Sequence, residues 1–281
     1  MGGKLRFTKM QGTGNDYVYV DCFSEPVHSP CELAKKISDR HFGVGSDGLV
    51  LILPSAKADA RMRMFNPDGS EAEMCGNASR CVGKYVYEHG LVRKHIVRLE
   101  TLAGIRILRL NIEDGEVVAV TVDMGEPILN PADIPMLSQK DRCVGETLEL
   151  DGENWQVTAV SMGNPHAVIF MKGIDDLDLP VVGPKFENWS IFPQKVNTEF
   201  VEVVSRSRIR MRVWERGTGE TLACGTGACA AAVAAMLNGL TERAVAVELR
   251  GGELFVSWDE NDNHVYMTGP AETVFEGVYF Y

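Results

Sequence analysis

MRMFNPDGSEAEMCGNASRCVGKYVYEHGL, from Met62 to Leu91, lies without a gap on MRVWERGTGETLACGTGACAAAVAAMLNGL, from Met211 to Leu240. The offset is 211 − 62 = 149 residues, and seven positions agree: Met62/Met211, Arg63/Arg212, Glu71/Glu220, Cys75/Cys224, Gly76/Gly225, Gly90/Gly239 and Leu91/Leu240. The same offset carries Gly14-Asn15 onto Gly163-Asn164, and the apolar run Tyr17 to Val20 onto His166 to Ile169. A weaker echo, MGEP at Met124 and MTGP at Met267, closes each half. Self-similarity at one fixed offset is the mark of a duplicated structural unit.

Around the repeat, apolar runs recur along the chain: Leu49 to Leu53, Ala60 to Phe65, His95 to Thr101, Ile105 to Asn111, Val117 to Met124, Trp155 to Val160, Arg208 to Glu215, Ala244 to Arg250, Leu254 to Asp259 and His264 to Thr268. Several alternate, as in RMRMF and RIRMRVWE, which predicts antiparallel strands with one wet face. Helices are fewer. Ser29 opens one with Pro30 at its first position and Glu32 completing a capping box, and Gly43 closes it. Two more begin near Cys75 and Cys224. The fold class is therefore α+β: two pseudo-symmetric halves, each a mostly antiparallel sheet or barrel wrapped around a central helix, with the active site expected in the cleft between them. The halves are read as 1–124, completed by 270–281, and 125–269.

The 28 basic and 39 acidic residues give a net charge of -11, the wrong sign for a phosphate backbone, so nucleic acid is excluded as a partner. Thr221 to Leu240 contains no charged residue, but its Ala, Gly, Cys and Thr content reads as a helix buried in a protein core rather than a membrane span. Seven cysteines at irregular spacing, with no CxxC and no zinc-type cluster, point to a reducing compartment and to no metal. The N-terminal MGGKLRFTKM has no apolar signal core, so the protein is read as cytoplasmic.

MCGN and ACGTG each place a Cys just before a Gly at a helix start. A thiol there feels the positive end of the helix dipole, which favours thiolate, and the amides of Gly76, Asn77, Gly225 and Thr226 can receive a carboxylate. A single Cys could equally be an inert core residue. Two at equivalent positions of a repeat suit a reaction needing an acid/base group on each face of one carbon. The offset also pairs Asn15 with Asn164, Asn66 with Glu215, and Gly48 with Asn197, inside the turn-like motifs GTGNDY, FNPDGSE, GNPH, VNTEF and ERGTGE. Each could simply build a turn; together they suggest a ligand cage. Arg216 is the candidate for binding an anionic group in a bidentate fashion, or else forms a surface ion pair with Glu215 or Glu220. His166 could orient a thiol, relay a proton, or be structural. Cys81 and Cys229 read as helix packing.

Read together, QGTGNDY, GVGSDG, FNPDGSEAEMCGNASRC, SMGNPHAV, VNTEFV and ERGTGETLACGTGACA resemble the diaminopimelate epimerase family over nearly the whole chain. The resemblance implies interconversion of LL- and meso-diaminopimelate without pyridoxal phosphate or metal, in lysine and cell-wall precursor synthesis, by a homodimer. It implies Cys75 and Cys224 as the catalytic pair, with His166 and Glu215 close to the chemistry. It implies Asn15, Asn66, Gly76, Asn77, Asn164, Asn197, Glu215, Arg216, Gly225 and Thr226 as the substrate contacts. Gly48 stands where some relatives carry Gln, and Thr226 where Ser is also seen. The rival readings are a proline or hydroxyproline racemase of the same fold, whose first motif reads CGH rather than CGN, a thiol redox protein, and a non-catalytic amino-acid binder.

Overall fold

The computed structural model describes residues 3–24 and 26–281. Met1 and Gly2, which begin the MGGKLRFTKM stretch, lie outside the described residues, as does Glu25. The chain forms two compact units, Met1–Asp123 with Thr268–Tyr281, and Met124–Met267.

The first unit runs β1 (Lys4–Gly12), β2 (Asn15–Asp21), α1 (Pro30–Ile37), β3 (Leu49–Leu53), β4 (Ala60–Phe65), β5 (Glu71–Ala72), α2 (Gly76–Glu88), β6 (Ile96–Thr101), β7 (Gly104–Glu113) and β8 (Glu116–Asp123). The second runs β9 (Glu146–Leu150), β10 (Glu153–Ser161), β11 (Pro165–Phe170), a 3-10 turn (Ile174–Asp176), α3 (Leu179–Glu187), β12 (Asn197–Ser205), β13 (Arg208–Glu215), β14 (Gly219–Glu220), α4 (Gly225–Leu237), β15 (Ala244–Leu249) and β16 (Gly252–Trp258). Strand β17 (Val265–Gly269) carries the chain back across the unit boundary, and β18 (Glu272–Phe280) ends the first unit.

The 149-residue offset holds element by element. It maps β1 onto β10 and α2 onto α4 end for end, since 153 − 4, 161 − 12, 225 − 76 and 237 − 88 all equal 149. It also relates α1 to α3, which the residue comparison did not reveal. In the first unit the strand neighbours run β18, β1, β2, β3, β4, β6, β7, β8. In the second they run β9, β10, β11, β12, β13, β15, β16. The outermost position is filled by β18, from the chain end, in one unit and by β9 in the other. Each sheet surrounds its own helix: α2 touches β1, β2, β4, β6, β7 and β8, and α4 touches β10, β11, β12, β13, β15 and β16. The fold is thus α+β in two halves.

The sheets are more mixed than alternation alone implies. β2 pairs with β3 in parallel, as β11 does with β12, β4 with β6 and β13 with β15. Each parallel pair is separated in sequence by a long crossover, and only such crossovers can join parallel neighbours. Helix α1 ends at Ile37, well short of Gly43, and Ser29 makes no side-chain cap bond. Glu32 pairs with Lys35 at 3.0 Å instead of closing a capping box. Strand β12 was hidden because VNTEF reads as a turn, and α3 because Pro180, Gly183 and Pro184 break its helical pattern.

The cores follow the same plan. In the first unit Leu5, Phe7, Val18, Val20, Leu33, Ile37, Leu49, Leu51 and Phe65 form one buried cluster. In the second Phe186 meets Trp155, Trp189 and Phe200 edge-on, with centroids 5.1, 5.7 and 5.3 Å away. Such edge-to-face contacts suit the ring quadrupole. Helix α4 is apolar on every side and buried from Gly227 to Ala235, as the uncharged Thr221 to Leu240 run requires. Among the described residues no helix is long and apolar enough to cross a membrane.

Candidate active site

Cys75 and Cys224 are the N-caps of α2 and α4, both in extended backbone, with φ/ψ of -138°/125° and -124°/112°. Gly76 and Gly225 are therefore the first helical residues, and the opening amides of each helix point away from any intrahelical acceptor. The two half-sites are built differently around this shared frame.

In the first unit, the turn between β1 and β2 places Asn15 opposite Gly12, with Thr13 at φ 53° and Gly14 at φ 83°. Positive φ at both turn residues is what a two-residue hairpin needs. Asn15 Oδ1 then accepts from Cys75 Sγ at 3.4 Å and from Asn77 Nδ2 at 3.4 Å. Asn15 Nδ2 donates to Asp47 Oδ2 at 2.8 Å. Beneath Asn77 lies Arg80, fully buried, donating to Asn77 Oδ1 at 3.0 Å and to the Pro270 carbonyl at 3.0 Å. Asn66 stands apart from this group, donating to Ser70 Oγ at 2.9 Å within its own loop.

Asp16 anchors the same turn by pairing with Lys9 and with Arg40, the latter at 2.8 Å. Burial alone would raise its pKa, but Arg40 and Lys9 outweigh that and hold the carboxyl below its ordinary value. The ionised form is therefore favoured by folding. That stability is fully present above about pH 4, the unfolded value, and is lost as pH falls through the depressed folded value. Asp16→Asn is expected to cost about 1 kcal/mol at pH 7, since Arg40 is half exposed, with the two urea-unfolding curves converging in acid. A difference that persists at low pH would refute this assignment.

In the second unit, Cys224 Sγ accepts from the Gly227 amide at 3.4 Å and lies 3.5 Å from Thr226 Oγ1. Glu215, from the end of β13, faces it and accepts from Thr221 Oγ1 at 2.5 Å. Burial pushes Glu215 up, opposed by the Thr221 and Cys224 hydrogen bonds. His166, in β11, is fully buried with Nδ1 2.7 Å from Glu199 Oε1 and Nε2 3.1 Å from Asn164 Oδ1. Asn197, in β12, donates to the Pro165 carbonyl at 2.9 Å and accepts the Arg216 amide at 2.9 Å. The Arg216 guanidinium donates to the Gln194 carbonyl at 2.9 Å. It does not pair with Glu220, which is held by Arg212 and Arg250, each at 2.9 Å.

The helix dipole alone does not set thiol acidity here. Burial pushes the Cys224 thiol well above its ordinary value, and the neighbouring Glu215 and Glu199 charges push it further, against the Thr226 and Gly227 hydrogen bonds. Desolvation and two carboxylates outweigh a partial charge that acts only over the first turn. Cys224 thus rests as a thiol, able to give a proton. Cys81 and Cys229 are fully buried inside their helices, and burial raises Cys81 to about 11.

Glu199 and Thr221 were not singled out from the sequence. The available signal for Glu199 was its place two residues after Asn197 on one strand, which puts both side chains on the same face.

The family model for diaminopimelate epimerase matches residues 7–130 and 158–274. This chain belongs to the diaminopimelate epimerase family. With that family it is an isomerase. It is 64% identical to the diaminopimelate epimerase of Desulfovibrio desulfuricans, over 100% of both chains. It is 61% identical to that of Acetivibrio thermocellus, over 97% of this chain and 98% of the relative. Among solved structures it is similar to a phenazine biosynthesis protein of the PhzF family from Bacillus anthracis, with a TM-score of 0.72 at 18% identity over 98% and 99% of the two chains. A hydroxyproline epimerase from Agrobacterium vitis gives 0.68 at 14% identity over 99% and 91%. At such identities these two likenesses establish the fold and leave the racemase reading without further support.

Proposed function

We propose that this chain interconverts LL- and meso-2,6-diaminopimelate by moving one proton between the faces of the α-carbon, with Cys75 and Cys224 as the acid/base pair. One sulfur, as thiolate, takes the α-hydrogen as a proton and the C–H electron pair stays on the substrate, delocalised into its carboxylate. The other sulfur, as thiol, delivers its proton to the opposite face. Thiol and thiolate have then exchanged places. No bond to sulfur other than S–H forms or breaks, and no cofactor is required.

The observation that carries this reading is the matched pair of helices, each headed by an extended Cys N-cap and a Gly, in a member of this family. The opening amides at Gly76, Asn77, Gly225 and Thr226 supply donors for the reacting carboxylate, whose charge grows as the proton leaves. Asn15, Asn66, Asn164, Asn197, Glu215 and Arg216 hold the rest of the substrate, including its distal amino-acid end. Glu215 and His166 act next to Cys224. The halves 1–124 with 270–281 and 125–269 contribute one thiol each, and the enzyme works in the cytoplasm as a homodimer.

The test is incubation with LL-diaminopimelate in deuterated water. Meso product carrying one deuterium at the inverted α-carbon is expected. Product without solvent deuterium, or no product, would overturn the reading.

A further inference from the structure

We infer that Glu199 is a positioning residue for the half-site of Cys224, acting through His166: it fixes which ring nitrogen of His166 carries the proton and holds the ring against Asn164. This rests on the epimerase reading above and adds a residue to it.

Glu199 and His166 are both fully buried, and their contact at 2.7 Å joins β12 to β11. A carboxylate facing Nδ1 makes that nitrogen the donor. Nε2 is then an acceptor, and it bonds to the Asn164 side-chain amide 3.1 Å away when that amide turns its Nδ2 toward the ring, the O and N ends of an Asn amide being set by the hydrogen-bond network. The carboxylate is costly to place here, since its second oxygen, Oε2, has no hydrogen-bond partner among the described residues. The fold nevertheless makes room for it. A Cβ on Gly227 would come 2.6 Å from Glu199 Oε1 and 3.2 Å from Cys224 Sγ, so carboxylate and thiol flank one gap that only a glycine leaves open. Glu199 also lies at the opening turn of α4, where negative charge is favoured.

The duplication supplies an internal control. At the 149-residue offset, Glu199, His166 and Gly227 correspond to Val50, Tyr17 and Ala78. The first half-site therefore has neither the carboxylate, nor the histidine, nor the glycine that admits them. The three occur together in one half and are absent together from the other, as a functional unit would be.

The titratable groups facing the pair are Glu215 from β13 and the Cys224 thiol from the start of α4. Helix α4 itself carries no charged side chain, and the buried end of β10, from Val157 to Ser161, carries none.

The experiment compares Glu199→Gln, His166→Gln and the double variant in both directions of diaminopimelate inversion, with melting temperatures recorded alongside. Glu199→Gln is expected to lower kcat about tenfold to a hundredfold with KM changed less than about threefold, as when an orienting carboxylate is removed from a histidine. In the His166→Gln background the same change should cost no more than about twofold, because the residue acts through His166. Glu199→Asp should retain part of the activity that Glu199→Gln loses. Equal losses in both backgrounds, or wild-type kcat in Glu199→Gln, would overturn the inference. Should Glu199→Gln fail to fold, 15N shifts of the His166 ring in the wild-type enzyme decide it: a protonated Nδ1 supports the inference and a bare Nδ1 refutes it. Absence of solvent deuterium in wild-type product would instead count against the epimerase reading, so the two failures are separable.

Discussion

Cys224→Ala and Cys75→Ala are each expected to lower the rate of diaminopimelate inversion by about a thousandfold or more, the scale on which a positioned acid or base contributes. The loss should exceed that of an ordinary general acid. The α-hydrogen is a very weak acid, and the surroundings of Cys224 leave no ready substitute. Glu215 is one neighbouring acid, but it is engaged by Thr221 Oγ1 at 2.5 Å, and Glu199 faces His166 at 2.7 Å. The single variants also differ in a way that identifies the chemistry. With one thiol gone, the survivor can still remove and return a proton on its own face. Each variant should therefore wash deuterium into one diastereomer without inverting it, and the two variants should choose opposite diastereomers. Serine variants should fall between, since a hydroxyl keeps the position but is a poorer acid and base. Full inversion by either alanine variant would end the two-thiol mechanism.

How much of this was legible beforehand follows from what a repeat can and cannot encode. The duplication was visible in the residues, and it chose Cys75 and Cys224 from seven cysteines without reference to structure. Hydrophobic alternation located β4, β13 and β15 nearly to the residue, because each has one buried and one exposed face. It said nothing of parallel pairing, which depends on crossovers rather than on strand pattern. It also missed β12, where five successive buried residues from Asn197 to Val201 erase the alternation. The electrostatic difference between the halves was the least accessible feature. The dipole argument treats Cys75 and Cys224 alike, and only three-dimensional placement shows Glu199 and Glu215 crowding one of them. Arg216 illustrates the same limit: its charge was read correctly, but its resting partner is a backbone carbonyl, and no residue pattern encodes that.

Arg80 marks the opposite pole of this asymmetry and has the largest expected effect on stability. It is fully buried in the second turn of α2, where the corresponding position in α4 is Cys229. Its guanidinium donates to the Pro270 carbonyl and Asn77 Oδ1, each at 3.0 Å, and to Thr13 Oγ1 at 3.4 Å. It thereby ties the closing segment after β17, the start of α2 and the β1–β2 turn together at one point. Arg80→Ala leaves those acceptors buried without that donor and opens a cavity the length of the side chain, so a loss of about 3–5 kcal/mol is expected in urea unfolding. Arg80→Lys keeps the charge but not the planar fork, so it should recover only part of the loss. The functional consequence is separate from the global one. Asn77 offers the first half-site its amide and is steadied by Arg80 on one side and Asn15 on the other. At a temperature where Arg80→Lys remains folded, KM for diaminopimelate should therefore rise several-fold while deuterium exchange persists. Wild-type stability in Arg80→Ala would show that the three contacts are dispensable, and an unchanged KM in Arg80→Lys would show that Asn77 holds its place without them.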